Sequence, residues 1–292
     1  MALPVDTPLQ VIWMSRVRTA LNFIVTAILF TGCADLGAIR KFADAAADSA
    51  QYTALSSDYP KSIERQKRYQ PTNQQQTLDS ILKTRQSQQP GLLALHKGIA
   101  NYMRALGDLA ADDLVSYDKS LDGVTDNLKT TKLVSSVEAD AFGSITKLIA
   151  KASTDAYRQS ELRKLINDAN SDFQTVINAM VRIVGTDFVA SLDNDSIALK
   201  GHYKNIIEVA RHNGPQDASI ELLNEQLLDK LALIEIQKEA CVGYAETLRT
   251  IGAGHQSLFD NRSHISSKVV LTTIQGYADQ VKDAYEKIKA LK

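Results

Sequence analysis

The side chains able to do chemistry are few and scattered. Five histidines occur, at His96, His202, His212, His255 and His264. None belongs to an H-E-x-x-H motif, and no two stand four apart as a helix-borne metal pair requires. His96 lies beside an apolar seam and reads as a packing or boundary residue. Ser-x-x-Lys occurs at Ser80/Lys83, Ser116/Lys119 and Ser144/Lys147. The S-D-N and K-T-G elements that accompany it in serine acyl-enzymes are missing, so these read as chance. Asp193 and Asp195 have the spacing of cation-loop oxygens but lack the glycine and distal glutamate of a calcium loop. Asp112 and Asp113 are adjacent, so on a helix their carboxylates diverge instead of sharing a proton. There is no glycine-rich phosphate loop and no G-x-S-x-G. These patterns imply binding rather than catalysis, with no metal and no cofactor.

The remaining reactive groups are two thiols, Cys33 and Cys241. Cys241 falls at a helical core spacing and reads as a buried, inert thiol. Cys33 closes the uncharged run Thr19–Cys33, which follows Arg16 and Arg18. A basic start, an apolar run too short to span a bilayer and small residues before the cysteine make up a secretion signal. A single anchor helix over 11–30 would place both arginines in the membrane at several kcal/mol each. Starting at Met14 gives the more compact basic segment.

Phe30-Thr31-Gly32-Cys33 resembles the lipobox of bacterial lipoprotein precursors, with phenylalanine in place of the usual leucine. The resemblance implies cleavage before Cys33, acylation of its thiol with chains of the palmitate class, and a permanent hold on membrane lipids, since two or more chains make a stable anchor. Ala34 follows the cysteine and Asp35 comes one place later. That order implies the outer membrane, facing the periplasm, in preference to the inner membrane. An acylated Cys33 leaves Cys241 alone, so no internal disulfide is expected.

The rest of the chain must be read from patterning. The net charge of −1 excludes the basic excess of a nucleic-acid binder. With 14 glycines, 6 prolines and 6 % aromatic residues in 292, helices are favoured over a sandwich or barrel. Apolar residues recur at alternating spacings of three and four: Leu92, Leu95, Ile99, Tyr102, Leu106, Leu109, and again Leu162, Ile166, Ala169, Phe173, Val176, Met180, Ile183. A third seam runs Ile220, Leu223, Leu227, Leu231, Ile234, Cys241, Tyr244, Leu248, Ile251, and a fourth from Ile265 to Leu291. Ser135-Ser136-Val137-Glu138 reads as a capping box. Val269–Ile274 is rich in β-branched residues but has no partner strand.

The fold class expected is all-α: an elongated antiparallel helical bundle of about five or six long, coiled-coil-like helices. Residues 1–32 form the signal peptide and 33–292 a single helical-bundle domain, with 60–90 a polar and basic helix-loop segment. Helix breaks are expected at Pro60, at Gln86–Pro90 with Gly91, at Asn213-Gly214-Pro215 and at Gly252-Ala253-Gly254. Gly185–Asp187 and Asp193–Ser196 are softer points. Past Asp112-Asp113 the seam resumes at Leu114, Tyr117, Leu121, Val124 and Leu128, as a phase shift within one helix. A helix over 136–184 is expected, with 153–160 bending or dividing it. Asp35–Tyr59 reads as a helix with an alanine-rich face.

The functional expectation is a lipid-anchored, non-enzymatic binding or scaffold protein of the bacterial envelope, with a protein partner or self-association. Lys61, Arg65, Lys67 and Arg68 read as a solvated helix face or, more sharply, as a contact for anionic head groups near the anchor. A C-terminal lysine, Lys292, opposite a lipidated cysteine resembles the murein lipoprotein and implies peptidoglycan attachment as an alternative. Immunity to a secreted toxin is another. A membrane-active hairpin ranks lower, because no apolar tongue stands out after Cys33.

Overall fold

The computed structural model describes residues 36–154, 158–212, 214 and 217–291. Cys33 and the stretches read as a lipobox and a signal segment lie outside them, as does Lys292. From Leu36 onward the chain forms one compact unit. It is all-α, with nine α-helices and no strand among the described residues. They are α1 (Gly37–Ala50), α2 (Ala54–Tyr69), α3 (Gln75–Ala110), α4 (Val124–Thr131), α5 (Ser136–Ala152), α6 (Arg158–Arg182), α7 (Phe188–His212), α8 (Asp217–Asp260) and α9 (Lys268–Ala290). Helices α5 and α6 run antiparallel, as do α7 and α8. Glu138 near the start of α5 meets Arg182 at the end of α6 at 3.1 Å, and Asp193 of α7 meets Lys238 of α8 at 2.9 Å.

The core sits where α1, α3, α6 and the second half of α8 converge. Every residue of the Leu92–Leu109 and Leu162–Ile183 seams is at most 2 % exposed. Phe42, Phe142, Phe173, Tyr102 and Tyr244 fill the spaces between them. Burying such a ring removes water from a large apolar area, worth about 1.5–3 kcal/mol for each such side chain. Small residues let the helices approach. A methyl group at Gly98 would lie 2.3 Å from the Phe142 ring, and one at Gly254 only 2.5 Å from Phe42. Ala43, Ala46, Ala47 and Ala50 of α1 are buried, as the alanine-rich face requires.

Several local breaks differ from expectation. Asp35–Tyr59 is not one helix: α1 ends at Ala50 and α2 begins at Ala54. Pro60 then lies inside α2. Its missing N–H would orphan the Ser56 carbonyl, which instead accepts from Gln89 Nε2 of α3 at 3.1 Å. Gln86–Pro90 and Gly91 also fail to break the chain, since α3 runs 36 residues through Pro90. Packing overrides the local signal there. Gly91 lies against Leu128 of α4, where a Cβ would come within 3.0 Å of a methyl group.

The opposite error occurs at Asp112-Asp113. The helix ends at Ala110, and Asp112 adopts φ 60°. Leu114, placed in the expected seam, is 76 % exposed. The stretch 136–184 divides into α5 and α6, which fold back on each other. Ile183–Asp187 is a π-helical turn joining α6 to α7 without a break. Gly185 lets α8 pack close against this turn, since a Cβ there would sit 2.7 Å from Ala245 Cβ. Asp193–Ser196 is helical.

Other signals coincide with the structure. Ser135 Oγ accepts from Glu138 N–H and Glu138 Oε2 accepts from Ser135 N–H, a complete capping box. Gly214 takes φ 115° between α7 and α8. Gly252-Ala253-Gly254, by contrast, lies inside α8, which continues to Asp260. Val269–Ile274 is helical, opening α9 behind an N-cap at Ser267.

Candidate interaction surface

The titratable groups in the core are bonded to one another. His255 donates from Nδ1 to Asn170 Oδ1 at 3.0 Å, and its Nε2 accepts from the Tyr102 hydroxyl at 2.6 Å. Asn170 Nδ2 donates on to Gln256 Oε1 at 3.0 Å. His96 Nδ1 lies 3.0 Å from the Ala50 carbonyl and 2.8 Å from the Tyr244 hydroxyl, while its Nε2 is buried without a partner. Burial holds the His96 imidazole down at about 4 and that of His255 at about 3. The same burial raises the Tyr102 and Tyr244 phenols. Both histidines are therefore neutral near pH 7. These groups fix the mutual positions of α1, α3, α6 and α8. His96 packs, as its place beside the seam suggested. Cys241 is fully buried, and burial pushes its thiol up to about 12, which suppresses the nucleophilic thiolate.

A second polar cluster ties α2 and α3 to α7. Arg85 Nη1 donates to the Tyr59 carbonyl at 3.0 Å and to the Ser62 and Ser191 hydroxyls at 2.9 Å each, with its guanidinium 4.5 Å from the centre of the Tyr59 ring. Arg65 Nε donates to Asp195 Oδ2 at 2.7 Å, and its Nη2 reaches Gln237 of α8 at 2.9 Å. Asp195 is fully buried, and burial raises its carboxyl above the usual range against the pull of Arg65. So Asp193 and Asp195 form no cation loop: each bonds a basic side chain from another helix.

The four cations expected to share a face are divided by the same contacts. Arg65 turns inward to Asp195. Lys67 pairs with Asp79 of α3, and Lys61 lies 3.6 Å from Asp58. Arg68 is exposed. Sequence reasoning missed the Arg65–Asp195 pair because 130 residues separate its partners.

The concave features are open grooves. One of about 610 Å³ is lined by Lys129, Lys132, Ser135, Glu138 and Arg182. Its charges already serve the fold: Lys129 bonds Asp140 at 2.5 Å, and Arg182 bonds both Glu138 and Asp187. Another, of about 530 Å³ between α8 and α9, has Glu239, Glu246 and Asp283 above a floor of Gly243, Ala284 and Ile288. Among the described residues no group of three His, Cys, Asp or Glu side chains could hold a metal.

The apolar surface lies elsewhere, on the hairpin of α7 and the first half of α8. No residue from Asp217 to Leu233 is buried, although nine of these are isoleucine, leucine or alanine on more than one side of the helix. Ile197 and Val209 of α7 and Leu222, Leu228 and Leu233 of α8 are 55–66 % exposed. From Ile234 onward the same helix buries Ile234, Cys241, Tyr244, Leu248, Ile251 and Leu258. A helix apolar around its whole circumference normally has neighbours on every side. Clustered exposed apolar residues mark interaction sites. Ser160–His212 is also long and apolar enough to cross a membrane, but half of its apolar window is buried within the bundle.

No family model matches this chain, and no curated protein or solved structure does either. The fold therefore defines a class, an all-α helical bundle with a partly unpacked hairpin.

Proposed function

We propose that this chain is a lipid-anchored lipoprotein of the bacterial envelope, held in the outer membrane through acylated Cys33 and facing the periplasm, that works by binding rather than catalysis. The observation that carries the binding role is the α7–α8 hairpin, whose exposed leucines and isoleucines form the kind of surface protein partners cover. The polar groups of the core support it indirectly, since they are engaged in holding helices together. The anchoring role is supported by the Thr19–Cys33 run with its basic lead and small residues before the cysteine.

Two measurements test this reading. Feeding cells an alkyne fatty acid should label the full chain, and Cys33→Ser should abolish the label and release the protein from the membrane fraction. An unmodified N-terminus ahead of position 33 in the purified protein would overturn the anchor. Replacing Leu222 and Leu233 with glutamine should abolish the partner complexes captured by cross-linking in intact cells. Unchanged complexes would overturn the hairpin as the binding surface.

A further inference from the structure

We infer that the hairpin is covered by a second copy of this chain, each α7 lying antiparallel along the partner's α8 in a four-helix arrangement. This rests on the binding reading and deepens it by naming the occupant of the surface. Three observations converge on it.

The first is the patterning of α8. Ile220, Leu223, Leu227, Leu231 and Ile234 form a stripe of spacing three and four, partly or fully buried. Leu222, Leu233 and Ile236 lie on the other side of the helix and are exposed. Two apolar sides require two helical neighbours. Over this stretch one side is open among the described residues.

The second is charge. From Lys200 onward the exposed face of α7 carries Lys200, Lys204 and Arg211, against one acid, Glu208. The exposed face of α8 carries Glu221, Glu225 and Asp229. Each stripe has the i, i+4 or i+7 spacing that keeps it on one side of its helix. One hairpin thus presents a basic edge and an acidic edge. A two-fold axis along the hairpin sets the basic edge of each copy against the acidic edge of the other, the self-complementarity an isologous contact needs. A lipid surface fits poorly, because seven charges interrupt the apolar residues on the faces that would enter it.

The third is register. Lys238 bonds Asp193, so each step up α7 matches a step down α8. Lys204 is then level with Leu227, between Glu225 and Asp229, and Arg211 is level with Ile220, beside Glu221. The same levels hold across a two-fold axis parallel to the helices. Within the single chain Lys204 reaches only toward Glu208, at 3.9 Å.

The test uses full-length protein. Two differently tagged copies are expressed together, one carrying Lys204→Cys and the other Glu225→Cys, and treated with a short bis-maleimide. A mixed adduct of twice the chain mass is expected, while two Lys204→Cys copies should not join, since the α7 helices are diagonal to each other. Reversing charge with K200E/K204E should weaken the dimer about tenfold, and adding E225K/D229K should restore it. Circular dichroism keeps loss of fold apart from loss of pairing. A monomeric mass in sedimentation at about 100 μM, equal adducts from Lys204→Cys alone, indifference to charge reversal, or binding to anionic vesicles in place of self-association would each overturn the proposal. A monomer whose L222Q/L233Q variant loses other complexes in cells would overturn the dimer alone and leave the binding reading standing.

Discussion

The two halves of α8 have similar apolar content and opposite environments. Past Ile234 its apolar residues enter a core built by α1, α3 and α6, where Cys241, Tyr244 and Leu248 are fully buried. Before Ile234 no residue of the helix is buried among the described residues, and Leu222, Leu228 and Leu233 meet solvent. Apolar content therefore does not decide burial along this helix. The number of neighbouring helices does. The closed half is where stability resides, and the open half is where a partner can be accommodated.

That contrast can be broken most forcefully in the core. Phe173→Ala removes a fully buried ring packed 4.6 Å, centre to centre, from both Tyr102 and His255. It should cost about 3–5 kcal/mol in denaturant titration. A loss below about 1 kcal/mol would mean the core is far looser than its burial suggests.

Acid should act on the same half. His96 and His255 are held neutral, at about 4 and about 3, whereas an unfolded histidine titrates near 6.5. Between those values the unfolded chain binds more protons than the folded one, so stability falls as pH drops below about 6.5 and the loss levels off near pH 3. The loss is roughly 3–5 kcal/mol for each histidine, at about 1.4 kcal/mol per pH unit of displacement. Replacing both histidines with glutamine should flatten that dependence in thermal melts run from pH 7 to pH 4, and an unchanged slope would contradict it.

A smaller effect is expected from Tyr102→Phe. It leaves His255 Nε2 buried without its donor and should cost about 1–3 kcal/mol while keeping the helical spectrum. The smallest change sharpens the comparison from the other side. Leu222→Ala on the open half should alter unfolding of the dilute protein by no more than about 0.5 kcal/mol. A loss as large as that of Phe173→Ala would show that the hairpin side is packed after all.

Legibility in the sequence follows the range of the forces involved. The Ser135–Glu138 capping box and the helix stop at Gly214 were readable because their signals are confined to a few residues. The seams were readable because helical periodicity is local. Pro60, Pro90 and Gly252–Gly254 misled for the converse reason. A proline costs a helix one hydrogen bond, and here Gln89 from another helix satisfies the carbonyl left at Ser56. The glycines admit Phe42 and Gln174 from neighbouring helices instead of ending α8. Asp112 misled in the other direction, since a short run of apolar spacing after it imitated a seam.

By itself the sequence determined that the chain is helical, where its main apolar stripes lie, and that Cys33 ends an uncharged run behind two arginines. Those features depend on residue type and short spacings. Tertiary structure alone decided which stripes were covered, which acid received Arg65, and which half of α8 was left open. Each of those depends on contacts between residues tens to hundreds of positions apart, and no local pattern encodes how many neighbours a helix will have.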